Sequence, residues 1–216
     1  MYNILLFDLD GTLTDPKIGI TKSVNYALQK FGREVDDLDQ LIPFIGPPLL
    51  DSFIQYCGLT DEQAHQAIDY YREYFSVTGL YENAVFPGIK SLLAELVRQQ
   101  KRLFVATSKP TDCSERILAH FGLTAYFERV VGSNLDGTRV NKAEVIAAVL
   151  SEIPLANRHQ TLMIGDRLHD ILGAKTCGLD SIGVAYGYGG TQELSQAGAT
   201  YIVNTVAELN RFLLER

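Results

Sequence analysis

Ile4-Leu5-Leu6-Phe7-Asp8-Leu9-Asp10-Gly11-Thr12-Leu13-Thr14-Asp15 decides the reading of this chain. Four apolar residues in a row predict a buried strand of the kind found in a parallel sheet covered on both faces. The strand runs into two carboxylates spaced i, i+2, and Gly11 lets the backbone turn sharply behind them. Asp8 and Asp10 therefore sit where a strand ends and a loop begins, the edge at which open α/β sheets bind ligands. A regular strand would point both side chains to one face and crowd like charges. A bend after Asp8 separates them, and a divalent cation relieves the repulsion. Hard oxygen ligands of this sort suit Mg²⁺. One carboxylate could then attack an electrophile while the other trades a proton with a leaving group. A calcium loop also opens Asp-x-Asp, but its glycine would fall at Leu13 and its bidentate Glu at Gly19, so that reading fails.

The composition narrows the field. The chain has 216 residues, enough for one large domain or two small ones, and 46% of them are hydrophobic, enough for a sizeable core. A net charge of −7 argues against a nucleic-acid polymer as partner, which calls for a basic face. A small phosphorylated metabolite remains compatible, because local lysines and a metal can reverse the field in one cleft. No apolar run approaches the ~20 residues of a membrane span, and residues 1–7 do not read as a signal peptide. Cys57, Cys113 and Cys177 are scattered and form neither a disulfide framework nor a zinc set. None is followed six residues later by Arg, so the phosphate-cradling Cys-x5-Arg loop is absent. The expectation is reduced thiols in a cytoplasmic protein.

Along the chain, Asp15-Pro16 reads as an N-cap with Pro at N1, opening a helix with Ile20, Val24, Ala27, Leu28 and Phe31 on one face. Ile45-Gly46-Pro47-Pro48 reads as a turn, a helix follows to Cys57-Gly58, and Thr60 with Gln63 forms a capping box for the next. Residues 16–79 thus predict an all-helical unit. From Pro87-Gly88 the rhythm changes to alternating helices and short apolar runs: 103–107, 129–132, 161–165, 181–185 and 200–203. This predicts an α/β fold, a Rossmann-like parallel sheet of order 3-2-1-4-5-6 with helices on both faces. The core would comprise 1–15 and 80–216.

Further polar groups collect at predicted strand ends. The second strand ends Ala106-Thr107-Ser108-Lys109, where a hydroxyl of Thr107 or Ser108 and free amides either hold phosphate oxygens or simply cap a helix. Asp166 leaves the fourth strand directly, with Asp170 one helical turn later. The pair suits one metal ligand and one group held behind it, or a helix start that favours acids. Lys142 opens a helix, a poor place for a cation. It is either solvated or answering a local anion, able to neutralise Asp8 and hold a phosphate oxygen. His169 reads as a solvent-edge histidine, and Tyr186-Gly187-Tyr188-Gly189-Gly190 as a loop near the mouth of the cleft, since its glycines miss the dinucleotide spacing.

Asp8-Leu9-Asp10-Gly11-Thr12-Leu13-Thr14-Asp15 resembles motif I of the haloacid dehalogenase superfamily, and with the later strand ends the resemblance covers nearly the whole chain. The helical insert resembles the cap of its phosphoglycolate phosphatase and β-phosphoglucomutase-like branch. The resemblance implies Asp8 as nucleophile and Asp10 as acid/base. Thr107 matches motif II, Lys142 motif III, and Asp166 and Asp170 motif IV. It implies Mg²⁺ held by the Asp8 side chain, the Asp10 main-chain oxygen and Asp166, with Asp170 behind them. Gly11, Thr107, Ser108 and Lys142 would surround the phosphate. Ala143 stands where many relatives carry Pro, and Arg167-Leu168-His169 replaces small polar residues. The implied activity is hydrolysis of small phosphate monoesters through an aspartyl-phosphate. Phosphoglycolate, a nucleoside 5'-monophosphate, a sugar phosphate and pyrophosphate all fit this core, and a sugar phosphomutase would keep every motif. A dehalogenase needs neither Asp10 nor Asp166, and a non-catalytic regulatory module would not need the set intact.

Overall fold

A computed structural model describes residues 2–215, and it divides into two compact units, Met1–Asp15 with Val85–Arg216, and Pro16–Ala84. The chain re-enters the α/β unit at Val85, a few residues beyond the boundary expected at 79/80.

The α/β unit is built on β1 (Ile4–Phe7), every residue of which is buried. Its partners are β4 (Arg102–Pro110), β5 (Arg129–Ser133), β6 (Thr161–Gly165), β7 (Asp180–Val184) and β8 (Tyr201–Val203). The six strands lie in the order β5-β4-β1-β6-β7-β8, all parallel, which is the expected 3-2-1-4-5-6. Between them run α4 (Ile89–Arg98), α5 (Thr111–His120), α6 (Lys142–Leu150), α7 (Leu168–Thr176), α8 (Gly190–Ala197) and α9 (Val206–Glu215). Strand alternation sends Ile4 and Leu6 to one face, where they join Phe104, Met163, Val145 and Val149 in a core against α6 and α7. Leu5 and Phe7 take the other face, where Phe7 meets Phe127 edge-on at 6.3 Å. Because β1 is central and its neighbours run parallel, the ends of β1, β4 and β6 lie side by side, and the residues that follow them share one edge.

In the helical unit, α1 (Lys17–Gln29), α2 (Leu49–Cys57) and α3 (Asp61–Tyr74) are joined by a 3₁₀ turn over Leu38–Phe44 and closed by a π-turn over Phe75–Gly79. The Thr60–Gln63 capping box forms, and Gly58 ends α2 in the left-handed region. Phe44 packs on Phe53 at 5.0 Å in its core. Pro16 occupies the N-cap position of α1 rather than N1. Asp15 instead belongs to β2 (Thr14–Asp15), which pairs with β3 (Ala84–Val85) in a two-stranded sheet that the sequence did not suggest. β4 is also longer than expected. Its register with β5 slips between Ala106 and Pro110, so Thr107-Ser108-Lys109 leaves the regular ladder.

Leu6 is fully buried at the centre of the sheet. Leu6→Ala should cost about 2–5 kcal/mol of stability in urea unfolding, whereas a loss below about 1 kcal/mol would contradict this account of the core.

Candidate active site

Asp8 continues β1, its amide donating to Ile164 O at 2.8 Å, and its carboxylate stands at the sheet edge, 5% exposed. Asp166 follows β6 with no exposure, and Asp170 is buried in the first turn of α7. Asp170 Oδ2, at the third position of α7, accepts from the N–H of the N-cap residue Arg167 at 3.0 Å, which ties it to that helix start. Lys142 opens α6, as expected, and is buried rather than solvated. Its Nζ lies 2.7 Å from Asp8 Oδ1, 2.8 Å from Asp170 Oδ1 and 3.0 Å from Ala106 O. Two of the ammonium's three donors are hydrogen-bonded, to Asp8 and Ala106 O, and Asp170 is its ion-pair neighbour, so a phosphate oxygen at Lys142 would have to share the ammonium with them. The anions implied by a lysine at a helix start are thus Asp8 and Asp170.

Asp10 points elsewhere. Its Oδ2 lies 2.5 Å from Lys109 Nζ, and that lysine side chain is 7% exposed. Sequence reasoning passed over Lys109. The available signal was a cation directly after Thr107-Ser108, at the end of a buried strand. Thr107 is buried, and its Oγ1 accepts from Lys109 N at 3.3 Å, leaving the hydroxyl hydrogen free to donate. Ser108 lies half-buried beside it. Gly11 sits at the same edge, but its amide, expected among the phosphate donors, donates to Thr14 O at 2.7 Å within the loop. Its contribution here is steric. It has φ +82°, and a Cβ there would fall 2.2 Å from Asp166 Oδ2.

The charges do not balance without help. Four carboxylates, those of Asp8, Asp10, Asp166 and Asp170, face two ammoniums, those of Lys109 and Lys142. Two negative charges remain, the charge that one divalent cation cancels. Burial pushes the Asp166 carboxyl well above the usual range, and Asp170 and Asp8 push it further. Burial likewise raises Asp10, against the pull of Lys109, and raises Asp170 to about 6 against the pull of Lys142. For Lys142 burial lowers the pKa, but Asp170 and Asp8 together carry it above the ordinary lysine value. Asp8, Asp166 and Asp170 each bring one carboxylate oxygen within 4.8 Å of the others. Asp166 Oδ1 is buried and has no hydrogen-bond partner among the described residues. An unpartnered carboxylate oxygen amid surplus negative charge fits a hard divalent cation such as Mg²⁺.

Two further elements support this edge. Glu193 of α8 accepts from Leu168 N at 2.8 Å and Arg167 Nε at 2.9 Å, holding the start of α7. Tyr188 N donates to Asp166 Oδ2 at 2.7 Å. The loop read as lying near a cleft mouth therefore reaches the acidic cluster itself. His169 is half-buried, and burial lowers its pKa, favouring the neutral ring. The three cysteines are free and half-buried. Among the described residues, no helix is long and apolar enough to cross a membrane.

The arrangement offers a carboxylate held by an ammonium, a second carboxylate two residues on held by another, and further buried acids behind. Residues 5–184 match the family model of the haloacid dehalogenase-like hydrolases. A 5'-nucleotidase of Pseudomonas aeruginosa is 49% identical over 98% of this chain and 96% of its own length. The tyrosine-protein kinase PtkA of Mycobacterium tuberculosis is 39% identical over 97% of this chain and 72% of its own. The crystal structure of a predicted phosphatase from Clostridium acetobutylicum superposes with a TM-score of 0.95 at 50% identity, covering 100% of both chains. With its matched sheet, its motif carboxylates at one edge and these relatives, the chain belongs to the haloacid dehalogenase-like hydrolase family.

Proposed function

We propose that the chain is a Mg²⁺-dependent phosphatase of small phosphate monoesters working through an aspartyl-phosphate on Asp8. The observation that carries this reading is Lys142 bridging Asp8 and Asp170 beside the unpartnered Asp166 Oδ1. Asp8, Asp166 and the Asp10 main-chain oxygen would hold the cation, with Asp170 behind them. When bound, it would supply positive charge to the phosphoryl oxygens.

The chain's own groups supply the rest. An Asp8 carboxylate oxygen forms a bond to phosphorus as the bond to the ester oxygen breaks. Asp10, two residues on and oriented by Lys109, gives that leaving oxygen a proton. Asp10 then takes a proton from a water attacking the same phosphorus, the Asp8–phosphorus bond breaks, and inorganic phosphate leaves. The Thr107 hydroxyl, Ser108 and a shared donor of Lys142 stabilise the negative oxygens. Enzymes accelerate monoester hydrolysis by up to ~10²¹-fold, and positioned charge of this sort is the largest contribution available here.

Among the substrates this core admits, the 5'-nucleotidase relative at 49% identity supports nucleoside 5'-monophosphates first. On a panel including phosphoglycolate, sugar phosphates and pyrophosphate, a nucleoside 5'-monophosphate should show the highest kcat/KM. A top rank for phosphoglycolate would return the specificity to the branch that the motif resemblance suggested. Asp8→Asn should reduce p-nitrophenyl phosphate turnover to background with the circular dichroism spectrum intact, and Asp10→Asn should lose roughly 10²–10⁴-fold. Near-normal turnover by either variant would refute its assigned role. Activity should vanish after EDTA treatment and return with Mg²⁺ but poorly with Ca²⁺, whose longer bonds and higher coordination number misplace the phosphoryl group. Full activity in EDTA would exclude the metal.

A further inference from the structure

The glycine-rich segment between β7 and α8 does more than cover the sheet edge. Three of its hydrogen bonds converge on Asp166 and on the Thr12–Asp15 stretch that follows the Asp8–Asp10 pair. Tyr188 N donates to Asp166 Oδ2 at 2.7 Å. The Tyr188 hydroxyl donates to Asp15 Oδ1, on the last residue of the α/β unit before the helical insertion. The Tyr186 hydroxyl donates to Thr12 O at 2.9 Å, in the loop that follows the Asp8–Asp10 pair, and the Tyr186 ring meets Phe86 edge-on at 5.2 Å.

Between the two tyrosines, Gly187 lies so close to the acidic cluster that a Cβ there would fall 2.3 Å from Asp166 Cβ and 2.4 Å from Gly11 O. Gly11 closes the other side of the same carboxylate. Asp166 is thus wedged between two glycines, with one oxygen held by a main-chain N–H and the other without a hydrogen-bond partner among the described residues. That division of labour is what a metal ligand needs from its surroundings: one oxygen anchored, one presented. The anchor is a loop amide, and a loop amide is only as fixed as the loop. Here the loop is pinned at its tyrosine hydroxyls.

We propose that Tyr188 is a positioning residue for the divalent cation. Its phenol, held by Asp15, fixes the loop amide that orients Asp166, so that Oδ1 faces the cation. Asp15, which the sequence presents as a helix cap, is the fixed point of this chain of contacts. The proposal rests on the reading above that Asp166 holds the metal.

The test is Mg²⁺ binding to the metal-free protein by titration calorimetry. It compares wild type, Tyr188→Phe, Asp15→Ala and the double variant. Tyr188→Phe keeps the ring and the loop amide and removes only the hydroxyl. It should raise the Mg²⁺ Kd about tenfold, the low end for loss of a group behind a metal ligand. Asp15→Ala should do the same, and the double variant should be no weaker than either, because both remove one interaction. The Mg²⁺ concentration for half-activation should rise in parallel, with the melting temperature in EDTA giving the folding control. A Tyr188→Phe protein that melts like wild type and binds Mg²⁺ within twofold of it would overturn the proposal while leaving the metal assignment standing. Additive losses in the double variant would also overturn it. If wild type binds no Mg²⁺, the metal reading falls and this proposal falls with it.

Discussion

Repulsion among four carboxylates gathered at one edge of a parallel sheet is the constraint around which this structure is arranged. Such charges cannot be buried together unless each finds a partner or stays protonated. Lys142 answers two of them, Lys109 answers a third, and the fourth, Asp166, receives among the described residues only the Tyr188 amide. The deficit is the functional feature. A site that balanced its own charge would have no affinity for a divalent cation, and one with no lysine would not hold its carboxylates in a defined geometry.

The topology makes that gathering possible. β1 is flanked by β4 and β6 in the same direction, so Asp8, Thr107 and Asp166 leave neighbouring strands at one edge. The helices that follow carry Lys142 and Asp170 back to it from their first turns. Close backbone approach does the rest. At Gly11, Gly165 and Gly187 a Cβ would collide with Asp166 or Asp170, so the carboxylates are confined by main chain rather than by mobile side chains. Confinement of this kind holds Asp166 and Asp170 in one geometry.

The strands, their order and the principal carboxylates were legible because they leave local marks: short apolar runs, a spacing of i, i+2, an acid directly after a strand. Lys142 was half-legible. Its place at a helix start signalled an anion, but the anions are 134 positions away in Asp8 and in the next helix, Asp170. The pairing of Lys109 was not legible, because the register slip that frees it is a property of strand pairing and its partner Asp10 lies on another strand's end. Asp15 followed by Pro16 has the local form of a cap, and its carboxylate accepts from the hydroxyl of Tyr188, 173 positions on. Gly11 was expected to offer an amide to phosphate, and the tight turn uses that amide internally. For Lys142, Lys109 and Asp15 a long-range contact decided the outcome, and for Gly11 the turn itself did.

The central claim is that phosphorus passes through a bond to Asp8, and that bond can be caught directly. An acyl phosphate is reduced by borohydride while a free carboxylate is not, so enzyme quenched during turnover, reduced and digested should yield homoserine at position 8 by peptide mass spectrometry. The account predicts homoserine at that position alone, dependent on substrate. Homoserine at position 10 instead, or steady phosphate release with position 8 unmodified throughout turnover, would contradict it.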